Sequence, residues 1–194
     1  MQKSLTKNSI YNVIYTIANI LFPFATSIYV SRILLPAGVG KVASAQNIVS
    51  YFVTLAALGL PSYGVREFAK VREKKHERNK LFTELLLVNI ISTTLAVVGF
   101  IGLVVANDGF NGQWTLYVAC GLSIAFNYLN IDWMYQGLEE YGYITGRSLL
   151  IKGLSLLALF LFVKTREDYV IYALISSLAT GGNYVFNVLN ARKY

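Results

Sequence analysis

Residues 66–80 (REFAKVREKKHERNK) hold ten of the 27 charged residues of this 194-residue chain, and long apolar runs lie on both sides of them. Seven of the ten are basic. A soluble domain spreads its charge over the whole surface, whereas a membrane protein keeps charge in its loops, because an ion at the bilayer centre is costly. Basic residues concentrate in cytoplasmic loops in particular. The stretch therefore predicts an integral membrane protein with residues 66–80 in the cytoplasm.

Composition favours the same class. The chain is 55% apolar and 14% charged, with a mean hydropathy of +0.51, whereas soluble domains carry about 25% charged residues. The net charge of +7 mostly reflects topology, and basic segments at a bilayer surface also attract anionic lipids. Nucleic acid is disfavoured as a partner, because the basic residues flank apolar runs. A single Cys120 and a single His76 exclude disulfide scaffolds and Cys/His metal clusters, and no cofactor is predicted.

Six stretches are long and apolar enough to cross a bilayer, which takes about 20 residues per helix. They are the ranges 9–31, 41–64, 81–106, 114–137, 143–163 and 169–190. The first is too long and too rich in Asn and aromatic residues for a cleaved signal, so it is expected to stay in the membrane. The fold prediction is an all-α membrane protein whose six transmembrane helices form one lobe of a two-lobe transporter. The chain contains no second copy of this unit, so a second six-helix lobe is expected outside it.

The distribution of Lys and Arg predicts the orientation. One side of the predicted spans collects twelve basic residues and the other collects four, which places both termini in the cytoplasm. The twelve are Lys3, Lys7, the seven bases of 66–80, Arg147, Arg192 and Lys193, and the four are Arg32, Lys41, Lys164 and Arg166. Because Val65, Phe68, Ala69 and Arg72 fall on one side of a helix, residues 66–80 are predicted to form a helix along the membrane surface.

Polar side chains form stripes at helical spacing inside four of the spans. In the first span they share an arc of about 100°, and the sixth span repeats the pattern. The stripes contain Asn12, Thr16, Asn19, Thr26 and Ser27 in the first span, Ser44, Asn47, Ser50 and Thr54 in the second, Ser148, Lys152 and Ser155 in the fifth, and Ser176, Thr180, Asn183, Asn187 and Asn190 in the sixth. Any one of them is best interpreted as interhelical packing. Four stripes together favour a hydrated cavity, with Asn19 and Asn183 on its walls.

Ionisable residues within or near the spans are candidate functional groups. Lys152 lies inside the fifth span and Asp132 inside the fourth, while Arg32 and Arg147 lie near span ends. For the two arginines the alternative is an interfacial position that keeps the charge in water. For Lys152 the alternative is an ion pair with Asp132 that only holds helices together. Cations at a cavity predict an anionic substrate, above all a phosphate or pyrophosphate.

Two prolines are candidate hinges. Pro23 lies inside the first span, and Pro61 lies near the end of the second. Proline removes a backbone hydrogen bond and kinks a helix, and broken helices are common in transporters. The alternative is a static kink filled by neighbouring side chains.

Several motifs are similar to those of a known transporter family. Residues 58–70 (LGLPSYGVREFAK), with Ser31-Arg32-Ile33-Leu34 and Gly38-Val39-Gly40 before them, resemble the first two helices of Wzx-type polysaccharide flippases. These proteins belong to the multidrug/oligosaccharidyl-lipid/polysaccharide exporter superfamily. Residues 132–139 (DWMYQGLE), together with Tyr143-Ile144-Thr145, Arg147-Ser148 and Ile151-Lys152, resemble the fourth and fifth helices of the family. The resemblance covers nearly the whole chain.

The resemblance implies a function in the cytoplasmic membrane. Flippases of this kind move an undecaprenyl-pyrophosphate-linked oligosaccharide to the outer leaflet by alternating access between two lobes around a cationic cavity. The resemblance implies membrane lipids, a second lobe and polysaccharide polymerases as partners. It also implies a role in handling the head group or an ion gradient for five charged residues, namely Arg32, Arg66, Asp132, Arg147 and Lys152.

Three other functional classes remain as alternatives. A multidrug or other cation-coupled antiporter of the same superfamily would carry carboxylates in its cavity, where Asp132 is the candidate. An enzyme is disfavoured, because His76 lies in the charged stretch and neither a Ser/His pair nor a metal-ligand cluster is evident in the sequence. A purely structural subunit leaves Lys152 unexplained.

Overall fold

The computed structural model describes residues 5–110 and 112–193, and nearly all of them are helical. The helices are α1 (Leu5–Ala57), α2 (Leu60–Val71), α3 (Lys75–Ala106), α4 (Trp114–Phe126), α5 (Asp132–Gly137), α6 (Tyr141–Phe162) and α7 (Tyr169–Ala191). No strand occurs in these two ranges, and several of the helices are long and apolar, which confirms the prediction of an all-α membrane protein. Lys3, part of the predicted cytoplasmic tail, lies outside the described residues.

Helix α1 contains the first predicted span and most of the second, and it is broken only at Leu35, which has φ 57° and ψ 172°. A residue that precedes proline avoids the helical region, because the proline ring collides with its backbone. Pro36 therefore interrupts the helix at Leu35 and itself begins the next turns. The predicted connector of residues 32–40 is helical apart from this one residue. We call residues 5–34 the first arm of α1 and residues 36–57 the second arm.

Contacts with α6 and α7 indicate that the chain reverses at Leu35. Along the first arm, Tyr11 accepts a hydrogen bond from Thr145, and Tyr29 donates one to Val163, so this arm runs parallel to α6. Near the start of the second arm, Lys41 Nζ lies 4.9 Å from the centroid of the Tyr169 ring. Tyr169 is the first residue of α7. Because α6 and α7 form an antiparallel pair, the two arms of α1 form a helical hairpin.

The second arm ends at Ala57, earlier than the predicted residue 64. Leu58 and Gly59 both have positive φ, 44° and 72°, and this left-handed pair separates α1 from α2. Pro61 stands in the first turn of α2, where its missing N–H would have had no helical partner anyway. Pro61 therefore does not lie near the end of a continuous second span, where the sequence predicted it. Pro61 begins a new helix instead.

Residues 66–80 do not form one surface helix. They divide between the end of α2 and the start of α3, with a turn at 72–74 in which Lys74 N–H donates to the carbonyl of Val71. The apolar side of α2 packs on α5, where Phe68 lies 5.1 Å from the ring of Trp133. Gly64 allows this approach, since a Cβ there would lie 3.0 Å from Trp133. Burial of this apolar face fixes α2, and the charged residues between the helices stay exposed.

The fourth predicted span is also interrupted. Helix α4 ends at Phe126, a 3₁₀ turn covers Asn127–Leu129, and α5 begins only at Asp132. Asn side chains take over backbone hydrogen bonds here: Asn89 Nδ2 donates to the carbonyl of Asn127, and the N–H of Asp132 donates to Asn130 Oδ1. Asp132 thus opens a short helix rather than lying within a continuous span, which corrects its predicted position.

Length and composition identify three helical stretches in the described residues as able to cross a membrane. They are Ser9–Val71, which the reversal at Leu35 folds back on itself, Lys75–Ala106 and Tyr141–Phe162. Trp114–Leu129 is apolar but shorter. The count of six spans stays a prediction. The core has one large apolar cluster between the second arm, α3, α4 and α7, and a second between α2, α3, α5 and α6.

Candidate substrate-binding site

The first arm of α1 has three distinct faces. One packs on α6 and includes Ala18, which is buried. A second is apolar and exposed, as the surface of a helix next to lipid must be, and includes Ile17 and Phe24. The third lies between them and is polar, with Asn12 and Asn19 exposed. A polar face beside a lipid-facing surface needs water or protein against it.

Lys152 projects from α6 towards this polar face. Its Nζ donates a hydrogen bond to Asn19 Oδ1 and lies 5.7 Å from the centroid of the Phe22 ring and 6.0 Å from that of Tyr15. One turn beyond Asn19, Pro23 has no N–H to offer to the Asn19 carbonyl. The predicted hinge and the predicted cation are therefore neighbours, although the backbone at Pro23 stays helical.

Lys152 lies at a cavity of about 230 Å³ between the first arm, α6 and α7. A second cavity of about 340 Å³ lies between the second arm, α4 and α7. Ser176 of α7 lines both. We call the two together the polar groove. Hydroxyl groups from five segments line it, including Thr26, Ser50, Thr54, Ser123, Ser155 and Thr180. All four predicted stripes thus contribute to one groove.

Asp132, which is partly buried, forms a cluster with the buried Arg147 and Asn187 close to the polar groove. The two nitrogens Nη1 and Nη2 of Arg147 both lie 3.2 Å from Asp132 Oδ1. Asn187 bridges the pair: its Oδ1 accepts from Arg147 Nη1, and its Nδ2 donates to Asp132 Oδ1. Arg147 Nη1 also donates to the carbonyl of Asn183, at 3.0 Å. Tyr135 donates to the carbonyl of Asn187, at 2.6 Å. The cluster joins α5, α6 and α7.

The ion-pair partner of Asp132 is therefore Arg147 and not Lys152. Asp132 pairs with Arg147, whose side chain is only 4% exposed, and Lys152 bonds to Asn19 instead. The alternative of a Lys152–Asp132 pair is wrong. The charge of Asp132 and the hydrogen bonds to Asn183 and Asn187 offset the cost of burying the Arg147 guanidinium.

The other predicted charged residues lie elsewhere. Arg32 is exposed, three residues before the break at Leu35. Arg66 lies on α2, where it bonds to Glu67 at 3.1 Å and stands over the ring of Tyr63. The structure thus brings Asn19 and Lys152 together at one place and Asp132, Arg147 and Asn183 at another.

Five polar residues that line the larger cavity were missed by sequence reasoning: Gln46, Ser123, Asn127, Ser177 and Tyr184. Asn127 follows α4 in the interruption of the fourth span, and a hydropathy window that averages over about 20 residues hides such a break. Tyr184 lies one turn beyond Thr180 on α7 and lines the larger cavity. Its position four residues after a stripe member was a usable signal, but it was grouped with no stripe.

The described residues contain no group of three or more His, Cys, Asp or Glu side chains placed to hold a metal ion. The chemistry of the groove is that of binding. One cation, many hydroxyl groups and apolar walls suit a ligand with an anionic part and an uncharged polar part.

Comparison with known proteins gives a consistent result. Residues 5–191 match a family model described as "Polysaccharide biosynthesis protein". The chain is 23% identical over 176 residues to the "Putative O-antigen transporter" of Escherichia coli (strain K12), which covers 91% of this chain and 42% of that protein. It is 26% identical over 157 residues to a protein of the same name from Shigella dysenteriae, covering 79% of this chain and 38% of that protein. The chain thus spans about two fifths of these relatives. No solved structure matches it.

Proposed function

Because the chain belongs to the polysaccharide biosynthesis protein family, we propose that it is one lobe of a flippase that moves undecaprenyl-pyrophosphate-linked oligosaccharide across the cytoplasmic membrane. This membership confirms the resemblance of its motifs to polysaccharide flippases. The relatives are named as transporters, which agrees with the expectation of a protein that is not an enzyme. A second lobe completes the substrate path in this proposal, and the path opens alternately to the two sides of the membrane.

The observation that carries the proposal is the position of Lys152. This cation lies next to a polar groove whose walls are otherwise hydroxyl-rich and uncharged, within a helix long and apolar enough to cross the membrane. An ammonium group has three donors, and Asn19 takes one. The remaining donors suit a pyrophosphate, which offers many acceptor oxygens and negative charge.

The cluster of Asp132 and Arg147 has a separate role in the proposal. Its charges neutralise each other inside the protein, and its hydrogen bonds join α5 to α6 and α7. It fixes α7 and, with it, the shared wall of the groove. The competing antiporter function needs an accessible carboxylate for the coupling cation. Asp132, the candidate, is engaged by Arg147 and Asn187, which disfavours that function.

The proposal includes the membrane orientation. Both termini and the turn at 72–74 lie in the cytoplasm, and the loops at Leu35 and 163–168 lie on the opposite side, as the distribution of basic residues predicts. Substrate then enters the groove from the cytoplasmic leaflet. Membrane lipids surround the lobe, and polysaccharide polymerases are expected to take over the delivered oligosaccharide.

Flipping by the full-length protein tests the proposal. The protein is reconstituted in liposomes that contain undecaprenyl-diphosphate-linked oligosaccharide, and a membrane-impermeant sugar oxidant reports how much of the lipid has reached the outside. The expected result is protein-dependent exposure of the sugar. Liposomes with undecaprenyl monophosphate or with a cationic dye are the controls. Movement of the dye without movement of the lipid-linked sugar would support the antiporter instead.

A further inference from the structure

We propose that the larger cavity of the polar groove is a sugar subsite, which binds uncharged hydroxyl groups while Lys152 binds the diphosphate next to it. This inference rests on the proposed function and divides its substrate between two sets of side chains. It depends on which donors and acceptors of the lining side chains have no partner inside the protein.

The serine and threonine hydroxyl groups of the larger cavity have already donated their hydrogen atoms. Ser50 donates to the carbonyl of Asn47 at 2.7 Å, and Thr54 donates to that of Ser50 at 2.8 Å. The remaining hydroxyls follow the same pattern towards the preceding turn of their helix or a neighbouring carbonyl. They are Ser123 and Ser177, both to Cys120, Ser176 to Tyr172, and Thr180 to Ser176. A serine or threonine hydroxyl has only one hydrogen but two lone pairs. These six side chains therefore face the cavity as acceptors.

Asn127 also lines this cavity, and both N–H donors of its side-chain amide already have partners inside the protein. Its two Nδ2 hydrogens go to Asn89 Oδ1 at 3.0 Å and to Thr93 Oγ1 at 2.9 Å. Asn127 is 2% exposed, so these bonds are shielded from water and fixed in place. The side chain therefore offers no spare donor to a ligand.

A cavity rich in acceptors selects ligands that bring donors, and the Gln46 amide and the Tyr184 hydroxyl, which also line it, add neutral donors for the lone pairs of the same ligand. Phosphate and carboxylate groups bring only acceptors, and the lining side chains carry no positive charge to attract them. A cation would meet acceptors, but no carboxylate is among these lining residues to balance its charge. Sugar hydroxyls donate a hydrogen and carry no charge. Val49, Val53 and the ring of Tyr184 add apolar surface that suits the C–H face of a sugar ring.

The smaller cavity offers the opposite chemistry. Lys152 supplies positive charge and donors there, and Ser176 lines both cavities, so the two adjoin along one face of α7. In a substrate whose diphosphate is joined directly to a sugar, the anionic group and the hydroxyl groups are adjacent in the same way. The order of the two subsites along α7 then fixes the direction in which the substrate lies.

Binding of two lipids to the full-length protein tests the subsite. One is undecaprenyl diphosphate, and the other is undecaprenyl diphosphate that carries a neutral oligosaccharide. The variant is Thr54→Val with Thr180→Val, which keeps side-chain shape but removes two acceptors. The control is Thr83→Val, since Thr83 also bonds to a carbonyl one turn back in its helix but lies exposed on α3. Affinity is measured for each lipid in nanodiscs.

The double variant should bind the sugar-bearing lipid about tenfold more weakly, since each lost hydrogen bond costs a few-fold in affinity. It should bind the bare lipid as the wild type does, which also shows that it is folded. The control variant should match the wild type for both lipids. Ser123→Ala offers the same comparison if the double variant does not fold. An equal loss for both lipids, or no loss for either, would overturn the sugar subsite. A wild-type protein that binds neither lipid would instead overturn the proposed function.

Discussion

Lys152 Nζ donates a hydrogen bond to Asn19 Oδ1, which joins α6 to the first arm of α1 across 133 positions of the sequence. Asn19 belongs to the polar face of the first arm, and Pro23 follows it by one turn. The only cation of the polar groove among the described residues is thus held by a neutral amide. Asn19 does not neutralise the positive charge of Lys152, which remains available to an anionic ligand.

Loss of the charge at Lys152 should abolish transport without unfolding the protein. Lys152→Met keeps the length of the side chain and removes the ammonium, so the diphosphate loses charge-assisted hydrogen bonds of about 1.5–3 kcal/mol each. The affinity for undecaprenyl diphosphate should fall at least about tenfold. Binding and thermal stability are measured together. Lys164→Met, in the exposed loop before α7, is the matched control. Normal binding and flipping by Lys152→Met would refute the role of this cation.

The pair of Asp132 and Arg147 should behave as a structural unit. Arg147→Met leaves the partly buried Asp132 carboxylate without its guanidinium and should lower the free energy of unfolding by about 3 kcal/mol. Combining it with Asp132→Asn should restore part of the loss, because no charge is then left unpaired. Thermal unfolding of the four proteins in detergent gives this cycle.

Lys80 and Glu84 provide the comparison pair. They lie 3.9 Å apart on an exposed part of α3, so Lys80→Met should cost at most about 1 kcal/mol. If Arg147→Met were as stable as Lys80→Met while flipping was lost, the buried pair would have to act on the substrate rather than on the fold.

Sequence reasoning succeeded where many residues contribute to one signal. Apolar length identified the long helices, and the spacing of Ser and Thr identified part of the lining of the groove. It failed where one or two residues decide the backbone. Gly59 follows the end of one helix, and Pro61 stands in the first turn of the next. Both are typical positions for these residues, but the apolar run that continues through them concealed the boundary. The partner of Asp132 could not be predicted either. Arg147 and Lys152 lie little more than one turn apart on α6, and only the packing of α5 against α6 decides which of them meets Asp132.

Close packing of α4 and α7 should depend on Gly181. A Cβ at this position would lie 2.4 Å from the Phe126 ring, so Gly181→Ala should lower the free energy of unfolding by about 1–3 kcal/mol. Gly153 in α6 is the control, since a Cβ there meets nothing within 4 Å. Gly153→Ala should stabilise the helix by about 0.5–1 kcal/mol. Thermal unfolding that ranked the two variants in the opposite order would contradict this packing.

The loop before α7 should weaken in acid. The N–H groups of Lys164 and Thr165 donate to Asp168 Oδ2, at 2.8 and 2.7 Å, and these backbone hydrogen bonds lower the pKa of the Asp168 carboxyl. A lowered pKa stabilises the loop above the unfolded value of about 3.9, and this effect is lost as the pH falls through the folded pKa. Protection of the two amides from hydrogen exchange should fall over this range. In Asp168→Asn their protection should be lower and independent of pH here, and an unchanged pH profile would contradict the assignment.

Opposite ends of the helices should be accessible from opposite sides of the membrane. Cysteines replace the exposed residues Lys75, at the start of α3, and Glu167, in the loop before α7, in a background with Cys120→Ala. In intact cells a membrane-impermeant maleimide should label the cysteine at 167 and spare the one at 75, because the basic residues around α2 keep their side in the cytoplasm. A membrane-permeant maleimide should label both and serves as the control. Labelling at 75 from outside would invert the orientation and, with it, the leaflet from which substrate enters the polar groove.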